Sequence, residues 1–249
     1  GNQRDVKYAM SALGHLAQLQ GRISQAEAIY QECHKIQIEI EDQIGIAFSL
    51  CDLAEVARLQ GAYDQARTYY QQSLARAKEA GLHTVRAQAL RGLGNLAEKQ
   101  ADYPAAHQFF QESLALSQTK SLPDYSPPAL TGLGWAALGL EEYQAAGGYF
   151  RQALQLEDTT RRPANTLEAL VGLAYQLAHL GQAERAFELL AVAEQQPALT
   201  QEARHRAARL AAQLEPQLAP QVMSTAQARA KDRTLDEVVA QLLGEEAFE

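Results

Sequence analysis

"LAEVARLQGAYDQARTYYQQSL", Leu53 to Leu74, is answered 40 residues later by "LGNLAEKQADYPAAHQFFQESL", Leu93 to Leu114, with leucine, alanine, tyrosine, aromatic and serine positions in register. Working outward from this pair, Leu13, Leu53, Leu93, Leu133 and Leu173 recur at the same interval. Each is followed by a small residue, in turn Gly14, Ala54, Gly94, Gly134 and Ala174. A second column reads Ala26, Ala66, Ala106, Ala146 and Ala186, and four residues on stand Tyr30, Tyr70, Phe110, Phe150 and Leu190. A third reads Ile23, Tyr63, Tyr103, Tyr143 and Ala183. A fixed period carried by several columns at once is the signature of a repeat architecture, here of five units.

Within a unit the spacing predicts two helices. Leu50, Leu53, Ala54 and Ala57 fall at i, i+3, i+4 and i+7, one face of an α-helix, and Ala66, Tyr69, Tyr70, Ser73 and Leu74 repeat that pattern after Gly61. Each unit therefore reads as helix, short turn, helix, an antiparallel hairpin. Small residues let the two helices approach closely, and the aromatic column fills the space beside them. A lone hairpin leaves one apolar face open, so stability is shared along a stack of neighbours. Overpacking a small site, as in Ala66→Leu, is expected to cost about 1–3 kcal/mol.

An apolar residue, Leu-Gly/Ala three residues on, a turn glycine, then tyrosine, alanine and an aromatic at fixed offsets resembles the tetratricopeptide repeat. The resemblance spans roughly Tyr8 to Glu194. It implies an all-α fold, a right-handed superhelix (α-solenoid) of five hairpins over 1–194, with a C-terminal helical capping segment over 195–249. The family's basic unit is 34 residues and often closes its second helix with proline. Here the period is 40, with Lys78, Gln118 and Asp158 in that place, which implies longer helices. The 40-residue version resembles the sensor arrays of bacterial signal-transduction ATPases of the STAND type.

Beyond Glu194 the register stops. Thr200 can cap a helix from Gln201 to Leu214, Pro216 and Pro220 break it, and a further helix is expected over Gln221–Ala230. "TLDE" then reads as a capping box, Thr234 with Glu237, opening a last helix that Gly244 ends. The stretch from Leu214 to Leu243 resembles the closing segment of those ATPase regulators, although Gln227 or Ala228 and Lys231-Asp232 stand where the relatives carry tryptophan and glycine. A start at Gly1 that enters a repeat at once reads as a piece excised from a longer protein.

Composition narrows the function classes. The 249-residue chain is 47% hydrophobic and carries a net charge of −8, which argues against bulk attraction to nucleic acid or anionic lipid. No apolar run approaches membrane-spanning length, and a cytoplasmic setting is expected, with Cys33 and Cys51 reduced. No phosphate-loop motif occurs, and the Gly-Leu-Gly of "RGLGNL" and "TGLGWA" follows no strand, so it reads as close helix packing. His15, His34, His83, His107, His179 and His205 are scattered, without metal-ligand spacing. Ser73 and Ser113 share a small packing column with Cys33, Ala153 and Ala193. No catalytic residue, metal or cofactor is therefore assigned, and the chain is not expected to be an enzyme.

Binding is the surviving class. In stacked hairpins the first helices line the concave side, and three columns there vary freely. They are Tyr8, Phe48, Gln88, Pro128 and Glu168; Ser11, Cys51, Arg91, Thr131 and Val171; and His15, Glu55, Asn95, Trp135 and Tyr175. The candidate partner surface comprises Tyr8, Ser11, His15, Phe48, Cys51, Glu55, Gln88, Arg91, Asn95, Thr131, Trp135, Glu168, Val171 and Tyr175. Trp135, the single tryptophan, is expected to anchor a partner without supporting the fold. Arg91 and Asn95 match the first pair of the family's carboxylate clamp, but Gly132 stands where the clamp requires asparagine, so that assignment is rejected. Gly147-Gly148 and "SLPDYSPPAL" make the third-to-fourth junction the expected place for altered curvature.

The resemblance implies a protein- or ligand-binding sensor domain of a larger bacterial signalling ATPase or transcriptional regulator. The expected partner is a protein or peptide, with a small-molecule effector and an intramolecular contact to an upstream ATPase domain also implied. Nucleic acid and membrane are not expected partners. The alternative is a stand-alone scaffold or adaptor that assembles other proteins.

Overall fold

The computed structural model describes residues 3–160 and 162–244, and the side chains of 9–18, 20–156 and 162–244. Every described regular element is helical: α1 (Gln3–Leu19), α2 (Ile23–Glu39), α3 (Gln43–Leu59), α4 (Tyr63–Glu79), α5 (His83–Lys99), α6 (Tyr103–Thr119), α7 (Ser126–Gly139), α8 (Tyr143–Thr160), α9 (Pro163–His179), α10 (Ala183–Glu194), α11 (Gln201–Leu214), α12 (Pro220–Lys231) and α13 (Leu235–Gly244), with two 3₁₀ turns at Pro123–Tyr125 and Glu215–Gln217. The first six helices run 17 residues each, and consecutive helices pair as antiparallel hairpins. The fold is an all-α helical repeat.

The turns explain why the period holds. Gly21, Gly61 and Gly181 take φ of +73°, +79° and +77° between the helices of a hairpin, and Ala101 and Glu141 adopt the same left-handed conformation at the equivalent place. Glu41, Gly81 and Ser121 do so between hairpins. A left-handed residue lets the next backbone N–H groups turn back onto the last carbonyls of the finished helix, as where Ala62 N–H donates to Ala57 O at 2.8 Å. A residue with a side chain pays roughly 1–2 kcal/mol for that conformation, which glycine avoids. Asp42 and Asp102 then restart the chain, accepting from Gly45 N–H at 3.1 Å and Ala105 N–H at 3.2 Å.

The chain divides into two compact units, Gly1–Tyr125 and Ser126–Glu249. In the first, Ala54, Ala66, Tyr70, Val85, Leu93 and Leu96 are among the buried residues of one cluster, and Ala17, Ala26, Tyr30, Leu53 and Val56 form another. The Gly-Leu-Gly motifs are packing sockets. A Cβ built on Gly94 would come within 2.7 Å of the Phe110 ring of the same hairpin, and one on Gly92 within 2.2 Å of the preceding hairpin's Tyr70. In the second unit Phe150 is held between Gly134 and Gly172, whose Cβ atoms would lie 2.5 Å and 2.3 Å from it. Gly92 and Gly94 thus face two different hairpins.

The tail belongs to the second unit and packs on α8, α9 and α10. Helix α11 has the expected bounds and buries Ala203, Ala207, Leu210 and Leu214. The capping box before α13 forms in both directions: Glu237 Oε2 accepts from Thr234 N–H at 2.9 Å, and Thr234 Oγ1 accepts from Glu237 N–H at 3.2 Å. Helix α8 continues through Gly147-Gly148.

Candidate partner surface

In the first unit the first helices place a polar network on one side. His15 of α1 faces Asp52 of α3, Nε2 to Oδ1 at 3.3 Å, and its ring meets Tyr30 edge-on at 5.7 Å. Asp52 is buried, while the imidazole is half-exposed. The hydrogen bond to Asp52 raises the His15 pKa, burial lowers it and the charge of Asp52 raises it further, with a net rise.

Glu55 of α3 is the hub. Its carboxylate accepts from Arg58 Nε at 3.0 Å and Nη2 at 2.7 Å, a bidentate pair at i, i+3, and from the Tyr70 hydroxyl at 2.7 Å. Burial alone would raise its pKa; the hydrogen bonds of Arg58, the charges of Arg58 and Arg91, and the Tyr70 bond together carry it below the ordinary carboxylate value. Tyr70 is driven well above the usual phenol range by burial and by the Glu55 charge. The same aromatic that fills the Gly92 socket therefore orients Glu55.

Around this hub Ser11, Gln88, Arg91 and Asn95 are half-buried and Phe48 is exposed. Tyr8 lies outside the residues whose side chains are described. Cys51 is a correction to the expected surface. It is fully buried, its Sγ 3.1 Å from Ser73 Oγ, and burial pushes its thiol up to about 12, so it meets no partner and is inert.

The second unit corrects three more expectations. Thr131 and Val171 are buried, and Trp135 is only 9% exposed. The indole stacks edge-on with Phe150 at 5.5 Å and with Tyr175 at 5.3 Å, beneath the Arg206 guanidinium of α11 at 4.0 Å. Arg206 also reaches Glu168 at 3.7 Å and Glu202 at 3.3 Å, and the Tyr175 hydroxyl donates to the Arg206 carbonyl at 3.0 Å. Helix α11 thus covers Trp135 and Tyr175 and reaches Glu168, in two of the three columns where α7 and α9 would have met a partner. Arg206 lies outside the repeat register and so escaped the column reading; Arg58 could have been paired with Glu55 from the i, i+3 spacing alone.

Among the described residues no group of three His, Cys, Asp or Glu could hold a metal ion, and no helix is long and apolar enough to cross a membrane. A groove of about 310 Å³ beside Arg86, Leu90, Glu112 and Leu116 is shallow and open to solvent.

The tetratricopeptide repeat family model matches residues 6–79 and, overlapping, 46–119. No curated protein matches the sequence. Solved structures share the fold. A Rap protein complexed with competence and sporulation factor aligns with a TM-score of 0.66 at 18% identity, covering 96% of this chain and 68% of its own. The hetero-tetramer Cut9-Hcn1 of the APC/C aligns with a TM-score of 0.66 at 20% identity, covering 98% and 43%. The pilF protein of Pseudomonas aeruginosa aligns with a TM-score of 0.58 at 19% identity, covering 92% and 100%. At these identities the likeness is one of fold: the stacked hairpins share the architecture of a tetratricopeptide-type repeat array.

Proposed function

We propose that the chain is a non-catalytic interaction module whose partner, a protein or peptide segment bearing a carboxylate, binds the first-helix face of the first unit around Arg91 and Asn95. The observation that carries this reading is the state of the polar groups on that face. Glu55 is held by Arg58 and Tyr70, and Asp52 by His15, whereas Arg91 and Asn95 make no hydrogen bond with any described residue and keep their polar atoms open to solvent. A guanidinium already half-desolvated gives a carboxylate a paired donor set, and Asn95, one helical turn away, adds direction. Ser11, His15, Phe48 and Gln88 complete the contact area. The Rap neighbour is complexed with competence and sporulation factor, which supports a binding role for the same architecture.

The wider setting we infer is the sensor region of a multidomain bacterial regulator with an ATPase module. The closing tail, with its formed capping box, supports that resemblance. Binding at the first unit would then report to the ATPase through an intramolecular contact, and a small-molecule effector would serve as well as a peptide. The complete open reading frame decides the setting: a phosphate-loop domain ahead of this chain supports it, and an initiating methionine just before Asn2 leaves the stand-alone scaffold.

The surface is tested with a photo-crosslinking residue at position 95 in the full chain, followed by mass spectrometry of the captured species. Titration with Arg91→Ala and Asn95→Ala should weaken binding by roughly 1.5–3 kcal/mol for the charged contact and less for the amide. Wild-type affinity in both variants would overturn the assignment.

A further inference from the structure

Helix α1 carries a stripe that its counterparts hide. Ala9, Ala12, Leu13 and Leu16 lie at i, i+3, i+4 and i+7 and are all exposed, Leu13 at 55% and Leu16 at 50%. At the Leu13 position of later first helices, Leu53, Leu93 and Leu173 are 5%, 6% and 1% exposed. At the Leu16 position Val56, Leu96 and Gln176 are each 1% exposed. Within the units, the cover comes from the preceding hairpin. Leu53 and Val56 cluster with Ala17, Ala26 and Tyr30, and the Gly92 and Gly172 sockets, which stand where Ala12 does, receive Tyr70 and Phe150 from the second helix before them. The α1 stripe is thus one half of an interface that the molecule builds repeatedly, with its complementary half missing from the described residues.

We propose that this stripe is the docking face for one more helical hairpin of the same repeat, carried by the polypeptide ahead of α1. It would be joined by a three-residue turn like those at 40–42 and 80–82. The chemistry of the occupant follows from the stripe. It is an antiparallel helix pair whose second helix lays an apolar face over Leu13 and Leu16. At the Ala12 position of the second hairpin stands Asp52, and the buried Tyr30 of the hairpin before it packs against Leu53 and Val56 on that same face, so a large apolar side chain of the aromatic column is the natural occupant. This surface is separate from the Arg91–Asn95 contact area and does not depend on it.

The full chain can be asked directly. A copy of residues 43–82 is joined ahead of Gln3 in register. Docking should raise Tm and slow amide exchange along α1 by about tenfold or more, because α1 would cease to be the outermost helix. Leu13→Glu with Leu16→Glu should erase that gain while leaving the Tm of the unextended chain nearly unchanged. The proposal fails if α1 exchange is unaltered by the extension, or if the glutamate pair unfolds the unextended chain as readily as the extended one. It also fails if the unextended chain sediments as a dimer that the glutamate pair dissociates, since the stripe would then belong to a second copy.

Discussion

Arg206 lies with its guanidinium carbon 4.0 Å from the centroid of the Trp135 ring, so a residue of the closing tail covers the single tryptophan of the repeats. The contact joins α11 to α7 and reverses the expectation that Trp135 is a free anchor for a partner. Trp135→Ala should accordingly lower stability by about 3–5 kcal/mol, the usual cost of deleting a buried large aromatic. Arg206→Ala, which removes a cation over a ring, should cost about 1 kcal/mol. Urea denaturation of both variants checks the order; a Trp135→Ala protein with wild-type stability would take the indole out of the core.

Glycines in similar sequence settings should behave oppositely. Gly92→Ala drives a methyl to within 2.2 Å of the Tyr70 ring and should destabilise by about 1–3 kcal/mol. Gly148→Ala meets nothing within 4 Å, sits mid-helix in α8, and should stabilise by about 0.5–1 kcal/mol. Thermal melts of the two variants should move in opposite directions.

Glu55→Gln removes the anion that Arg58 and Tyr70 share, and should cost about 2 kcal/mol near neutral pH. The folded carboxyl titrates below its ordinary value, so its contribution is complete above the ordinary carboxylate range and is lost as pH falls through the folded pKa. The stability gap between wild type and Glu55→Gln should therefore close on acidification below about pH 4. A gap that persists unchanged to pH 2 would show that packing, and not charge, explains it.

His15 has the opposite sign. Its pKa is raised in the fold, so the His15–Asp52 contribution is complete below the ordinary histidine pKa of about 6.5 and disappears as pH rises through the higher folded value. His15→Gln should be less stable than wild type at pH 5.5 and indistinguishable from it at pH 9. The difference should stay under about 1 kcal/mol because the imidazole is half-exposed.

Several features were legible before any coordinates because they are local. The 40-residue period, the hairpins, the close-packing role of Gly-Leu-Gly, helix α11 from Gln201 to Leu214 and the Thr234–Glu237 capping box depend on spacing within one or two helical turns or on a column repeated many times. Trp135 was misread for a non-local reason. Its column is set by the repeat, but part of its cover comes from Arg206, 71 residues away and outside the repeat register. Cys51 and Val171 fail differently: they occupy the column of Arg91, yet a small or branched side chain ends inside the helix stack, while the longer arginine is only half-buried. Column membership gave direction, and side-chain length decided access.

The bare stripe on α1 also sets the order in which the first unit comes apart. The α1–α2 hairpin meets the rest of the first unit on one side, through α3, while Leu13 and Leu16 on its other side are bare. Heating or pulling should peel α1 and α2 away as a pair and leave α3 to α6 standing, with the His15–Asp52 contact breaking at the seam. A protease given brief access should therefore clip first in the turn around Glu41. The amino-terminal end of the unit is its frayed edge, and wear begins there.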